Sequence, residues 1–471
     1  PFVCDWGEAV YPNSVPAVDR RGAEIRSFAA VGETEPVAFG LRTLDAPVAG
    51  LRITPGELVN LDSAGVIPAD SLHTAVVEYG RVRWGEGSAA RRWRWHPLRV
   101  WPLEKYPGSR FCEPEPEGTL QVAANTAQVF WLEIHLPRDA VPGNYAGSVL
   151  VQSWRGSCSV QIYFAVLPLK LEKSGLPPFG VYIPGPLDSF ACQDLAGHGL
   201  NSTARWYDST QLTPHPAAGQ TAFDFGLEDL FMKRLSASGI TGPQLFYAAT
   251  QQASLLENSL RTPEDSLSPQ AEVLAYAQAA QVILEHSRKN GWPRQVWGIV
   301  DRLRPGSLDL DLFVERAAAL RKVMGPRFNL VSPLITDRDR KLVERIEPFV
   351  SAWLIGAAVE PDQLMQRSAI WAYTALTQRD AGATARARVG FSPWSRGLDG
   401  VFVWAYNWPG GGHPWNDFDS ERMDWMLSYR YLDDSYVPTP AWEGIAEGIE
   451  DRRWLITLEK AINTLPYNYP P

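Results

Sequence analysis

Asp301 stands directly after the apolar run Gln295 to Val300 and is followed at once by Arg302. A carboxyl group at the end of a buried strand can deliver a proton or stabilise a developing cation. Other carboxylates occupy comparable positions. Asp208 follows Trp206-Tyr207, Asp337 follows the run that ends at Ile335, and Glu360 follows the run Val350 to Ala357. Aromatic residues share these places: Trp371 and Tyr373 in one run, Trp404, Tyr406 and Trp408 ending another, then Trp415 and Asp417 in the loop beyond. Glycosidic-bond cleavage uses this combination: one acid protonates the leaving oxygen and a second carboxylate stabilises or attacks the anomeric carbon. Flat rings stack on the apolar C–H faces of sugars. Candidate catalytic residues are therefore Asp301, Asp337 and Glu360. Candidate substrate contacts are Asp208, Tyr373, Trp404, Tyr406, Trp408, Trp415 and Asp417. The ordinary alternatives are helix caps or loop residues for Asp208 and Asp337, and loop ties for Asp417 and Asp419. Most of the 19 Trp residues are expected to fill cores.

Other chemistries lack their residues. Seven His and no G-x-S-x-G elbow disfavour Ser/His/Asp catalysis, and His413 reads as a loop residue. The spacing of His and Cys suggests no metal cluster, and no cofactor is expected. Gly410-Gly411-Gly412 runs into His413-Pro414-Trp415, unlike a phosphate-binding turn. The net charge of −9, without a long basic face, argues against a nucleic-acid partner. No apolar run is long enough to span a membrane. Cys4, Cys112, Cys158 and Cys192 are widely spaced, which allows one or two disulfides or four reduced core thiols. The chain starts at Pro1 without Met, which fits either a removed signal peptide or trimming. No pattern sets an oligomeric state.

These residues need elements to position them. Up to about residue 170 the chain reads as β. Ala127 to Leu136 places Phe130, Leu132, Ile134 and Leu136 on one face, Pro142-Gly143 turns, and Gly147 to Ser153 returns. Arg155-Gly156 turns again into Cys158 to Val166. Three hairpin-connected strands without a helix argue for a sandwich. Beyond a Pro/Lys-rich linker, Leu167 to Pro178, short apolar strands alternate with helices. The strands fall near 179–183, 200–206, 243–248, 295–300, 328–335, 350–357, 369–374 and 399–405. Helices are expected over Ala271 to Lys289, with Ser268 as N-cap, from Ser307 to Gly325, and from Thr439-Pro440 onward. Eight such units suit a (β/α)8 TIM-type barrel, whose active site forms at the C-terminal strand ends. The expected division is an N-terminal all-β sandwich, residues 1–173, and a barrel, residues 174–471.

Several segments resemble glycoside hydrolase family 123. They are Gly397-Leu398-Asp399-Gly400-Val401-Phe402-Val403-Trp404-Ala405-Tyr406-Asn407, Pro414-Trp415-Asn416-Asp417-Phe418-Asp419, and Val437 to Glu443 running into Glu447 to Leu455. Asp194-Leu195-Ala196-Gly197-His198-Gly199-Leu200-Asn201 and the hairpin Pro142 to Gly147 are similar too. The resemblance implies an exo-acting β-N-acetylgalactosaminidase with substrate-assisted retention. An Asp orients the acetamido group, and the Glu after it is the general acid. Asp301 matches the Asp, but Arg302 stands where the Glu belongs. A guanidinium stays charged near neutral pH and cannot deliver a proton. Three consequences are open: Glu360 or Asp337 supplies the proton, Arg302 pairs with an anionic sugar, or the barrel binds glycan without cleaving it. The expectation is a secreted or periplasmic glycoside-hydrolase-like protein whose partner is an oligosaccharide or polysaccharide.

Overall fold

The computed structural model describes residues 1–464 except 23, 85–91, 218–219, 249–268, 304–308, 327, 337–339 and 365–367. Two sheets build the N-terminal part. One is antiparallel, with strands in the order Phe2–Cys4, Thr34–Arg42, Ala127–His135, Leu72–Arg83, Trp93–Pro102. The other runs Ile25–Ala30, Gly156–Leu167, Gly143–Ser153, Val48–Pro55, Thr119–Val122, Cys112–Glu115, and its first pair is parallel. Phe39, Trp101, Phe130 and Leu132 of the first sheet meet Ile53, Val149, Ile162 and Phe164 of the second in one core.

The chain of three hairpin strands is not what forms. Ala127–His135 lies in the first sheet, and the chain then crosses to the second, where only Gly143–Ser153 and Gly156–Leu167 make a hairpin. The cause is burial on both faces of the strand. Phe130, Leu132 and Ile134 fill the inter-sheet core, while Val129 and Trp131 pack on the other side with Phe2, Cys4 and Trp6. A strand apolar on both faces belongs inside a sheet, here between Thr34–Arg42 and Leu72–Arg83.

The eight apolar runs of the C-terminal part form a closed parallel barrel. In order its strands are Phe179–Tyr182, Ser202–Trp206, Gln244–Tyr247, Gln295–Gly298, Leu330–Ile335, Ala352–Ile355, Ala369–Ala375 and Gly400–Trp404. Leu245, Val296, Leu354, Trp371 and Phe402 fill its interior. Phe246, Trp297, Trp353 and Val401 face outward to the helices. In helix Pro269–Lys289, Tyr276, Ala277, Ala280, Ile283 and Leu284 are buried at helical spacing. The next long helix is Asp309–Met324. The caps expected at Ser268 and Ser307 lie outside the described residues. Helix Pro440–Thr464 starts at Thr439, whose hydroxyl accepts the Trp442 N–H (3.1 Å) and donates to the Leu427 carbonyl (2.9 Å). None of the four cysteines is bridged: Cys4, Cys112 and Cys192 are buried and Cys158 is exposed.

Between the sandwich and helix Pro440–Thr464 lies a group of carboxyls. Arg386 grips Asp451 with two hydrogen bonds of 2.7 and 2.8 Å. Burial lifts the Glu35 carboxyl to about 7, and burial together with Glu33 lifts Glu450 to about 8. His198, though buried, is raised to about 9 because Asp194 and Glu443 outweigh the burial. All three bind protons more tightly folded than unfolded. Their stabilisation is complete below the unfolded values, near 4.3 for Glu and 6.5 for His, and is lost as pH rises through 7 to 9. The melting temperature is therefore expected to fall by several degrees between about pH 6 and pH 9. A calorimetric pH series with a flat or rising Tm would refute this.

Candidate functional site

Parallel strands place all eight C-terminal ends on one rim. There Tyr182, Trp206, Tyr247, Tyr373 and Trp404 converge from strands one, two, three, seven and eight, and Asp301 follows strand four. The hydroxyls of Tyr182 and Tyr247 are 3.1 Å apart. The Tyr182 ring lies 5.5 Å from Trp206, 5.9 Å from Tyr373 and 5.4 Å from Trp404. Trp408 extends this wall from the short strand Asn407–Trp408, 5.0 Å from Trp404 and 5.6 Å from Trp206. Strand four gives way by carrying Gly298, where a Cβ would stand 2.3 Å from the Tyr247 ring.

Asp301 sits among these phenols. Its burial raises the carboxyl above the usual range, and the neighbouring Arg302 guanidinium partly offsets this. Burial also raises the phenols of Tyr182, Tyr247 and Tyr373, and the Asp301 charge adds to the effect. A carboxyl shifted this way holds its proton to higher pH than a solvated one, which suits proton delivery or a hydrogen bond to a neutral polar group. Arg302 is exposed and donates from Nη2 to the Tyr373 hydroxyl at 3.3 Å, leaving other N–H groups for an anion.

Asp301, Arg302, Tyr373, Trp404 and Trp408 are thus brought together. Glu360 is exposed beyond strand six, just before the turn Pro361–Gln363. Asp208 is exposed on the single turn Tyr207–Ser209 that follows Trp206. Asp337 lies outside the described residues.

Three candidates turn elsewhere. Tyr406 does not share the face of Trp404 and Trp408, because strand eight ends at Trp404 and Ala405 takes the inner position. Its ring packs outward on Trp442 at 5.2 Å, and its hydroxyl donates to Asp194 at 2.6 Å. Trp415 does not fold over the mouth. It stacks on Trp101 of the sandwich at 5.9 Å, with the Arg99 guanidinium 4.8 Å from its ring. Asp417 is buried, accepting the Arg83 backbone N–H (2.7 Å) and the Asp424 N–H (2.9 Å). The cause is Arg83, whose side chain donates to the carbonyls of Asp417, Ser420 and Glu421 and draws the loop onto the sandwich.

Sequence reasoning passed over Tyr182, Tyr247 and Trp425. The strand-end rule, applied to strands one and three, would have found the two tyrosines. Trp425 has no such signal: it reaches the wall, 6.4 Å from Trp404, by pairing with Trp408 across a two-residue ribbon.

No protein-family model matches the chain, and no curated protein does. Solved structures do match. A family 123 glycoside hydrolase from Clostridium perfringens aligns with a TM-score of 0.71 and 16% identity, over 93% of this chain and 85% of that one. The likeness is one of fold: a β-sandwich followed by a closed parallel (β/α)8 barrel. More distant are the exo-β-1,4-mannosidase Op5Man5 from Opitutaceae bacterium strain TAV5 and an endo-β-1,4-mannanase from Thermotoga petrophila. The first has a TM-score of 0.39 and 14% identity over 61% of this chain and 63% of that one. The second has 0.38 and 12% over 58% and 76%. The aromatic-walled rim occupies the end of the barrel where TIM-type enzymes carry their active sites.

Proposed function

We propose that this protein is a glycoside-hydrolase-like protein that takes an extracellular or periplasmic glycan into the barrel mouth. Residues 174–471 carry the site and residues 1–173 support it. The observation behind this is the meeting of Asp301 with Tyr182, Tyr247 and Tyr373 inside a wall of Trp206, Trp404 and Trp408. Rings of this kind stack on a sugar while the half-buried Tyr373 phenol and Asp301 carboxyl reach its hydroxyl or acetamido groups, with the fully buried Tyr182 and Tyr247 supporting them from beneath. Arg302 selects a sugar bearing a carboxylate or sulfate near the reacting centre. Glu360 and Asp337 are the remaining candidates for the proton donor.

A second reading, binding without hydrolysis, is favoured by one feature: Arg302 occupies the position after Asp301 where the family resemblance calls for Glu. Neutral and anionic aryl β-glycosides, assayed beside calorimetric titration with the corresponding oligosaccharides, separate the two. Turnover that Asp301→Asn abolishes supports the hydrolase, and saturable binding without turnover supports the second reading. Neither turnover nor binding on any glycan would overturn both.

The wall makes its own prediction. Trp408→Ala should weaken glycan binding by about tenfold with little change in Tm, since the ring is only half-buried. Trp415→Ala should lower Tm instead and leave affinity nearly unchanged. The opposite pattern in the two variants would move the glycan to the loop.

A further inference from the structure

The outer face of the first sheet carries a cluster that the barrel site does not use. Glu133 and His135 are two residues apart on strand Ala127–His135 and so share a face. His73, on the adjacent strand, stands opposite Glu133 in register. The ligand atoms of the three side chains lie within 4.8 Å of one another. Glu133 Oε2 and His135 Nε2 are 3.3 Å apart, the separation of two ligands held tetrahedrally by a metal with bonds of about 2.0–2.1 Å. The His73 and His135 rings are 4.3 Å apart and tilted by 48°.

Two details distinguish this from an ordinary surface pair. His135 Nδ1 is 2.9 Å from the hydroxyl of Thr34, which faces it across the other neighbouring strand. Holding one ring nitrogen in this way orients the ring and presents the other as a ligand. That other nitrogen, Nε2, is shielded from solvent although the side chain is 39% exposed, and it faces Glu133 Oε2 at 3.3 Å with no aligned hydrogen bond among the described residues. A nitrogen so placed, beside a carboxylate oxygen and without an aligned hydrogen bond, is open to a metal ion held between the two.

We propose that His73, Glu133 and His135 form a binding site for a divalent transition-metal ion of the Zn2+ class. Two imidazoles and one carboxylate suit such an ion and leave a position for water. The cluster borders an open cleft of about 1160 Å³ between the sandwich and the barrel, to which Thr34, Glu133 and His135 contribute, so an ion has a path in from solvent. Bound there, the ion would tie strand Leu72–Arg83 to strand Ala127–His135 on the side that faces the barrel. The proposal stands apart from the glycan site. The linear spacing hid it, since the cluster needs a His sixty residues from the Glu-x-His pair.

The test uses the full chain after chelator treatment and dialysis. Titration with Zn2+ should give one equivalent bound per chain at micromolar concentration and a raised Tm. Co2+ should give visible d–d bands without a thiolate charge-transfer band, which separates this site from the exposed Cys158. His73→Ala, His135→Ala and the isosteric Glu133→Gln should each weaken Zn2+ binding about tenfold or more, whereas His413→Ala should not. Circular dichroism checks the fold of each variant, and Glu133→Gln serves if a His variant misfolds. No Zn2+ binding at micromolar concentration, or binding unchanged in Glu133→Gln and the folded His variants, overturns the proposal.

Discussion

Replacing Arg302 by Glu is expected to raise hydrolysis of an unactivated β-N-acetylgalactosaminide by about 10²–10⁴-fold, the usual contribution of a general acid. The wild type should cleave such a substrate weakly or not at all. Its residual activity should favour nitrophenyl glycosides, whose leaving group needs little protonation. The substitution exchanges a cation suited to an anionic sugar for a carboxyl group able to protonate the leaving oxygen. Arg302 is exposed and its side chain meets Tyr373, through a hydrogen bond of 3.3 Å and 5.8 Å from the ring centre, so the exchange should not unfold the protein. The gained activity should disappear again in Arg302→Glu/Asp301→Asn, because a substrate-assisted mechanism of the kind the resemblance implies would need Asp301 to orient the acetamide. A folded, glycan-binding Arg302→Glu variant with no gain would sink the assignment of this position to the proton donor. Efficient wild-type hydrolysis that depends on Asp301 would instead send the search for the acid to Glu360 and Asp337.

Arg83→Ala is expected to cost roughly 3–5 kcal/mol, because it strips hydrogen bonds from three backbone carbonyls in a buried setting. The Arg83 guanidinium reaches the Asp417 carbonyl at 2.7 and 3.0 Å, that of Ser420 at 2.5 Å and that of Glu421 at 3.2 Å. Lys has one nitrogen and lacks the planar fork, so Arg83→Lys should recover only part of the loss. The same variant should weaken glycan binding, since the freed loop leads into the Trp408–Trp425 ribbon that continues the wall. Denaturant melts followed by Trp fluorescence read both the stability and the loss of the Trp101–Trp415 contact. An unchanged melting midpoint would mean that the loop is held by other contacts.

The barrel was legible because its signals are local. Each strand is a short apolar run closed by turn residues, and helix Pro269–Lys289 shows its buried stripe in the spacing of Tyr276, Ala280 and Ile283. The rule that barrel sites form at C-terminal strand ends then led to Asp301, Tyr373 and Trp404. Local pattern also misled. Alternation through Trp404, Tyr406 and Trp408 assumes one continuous strand, and the strand stops at Trp404. The sandwich strand Ala127–His135 looked like one arm of a hairpin because its opposite-face residues, Val129 and Trp131, gave no hint of the Phe2 and Trp6 that cover them.

By itself the sequence determined the alternation of elements, the barrel class and the carboxylate at the end of strand four, since each depends on neighbours within a few turns of chain. Only the tertiary structure decided where Trp415 and Asp417 go, which phenols surround Asp301, and that His73 meets Glu133 and His135. Those outcomes rest on contacts such as Arg83 with Asp417, 334 residues apart. Hydrogen bonding and burial at that separation depend on how sheets and loops pack, and linear spacing carries no record of it.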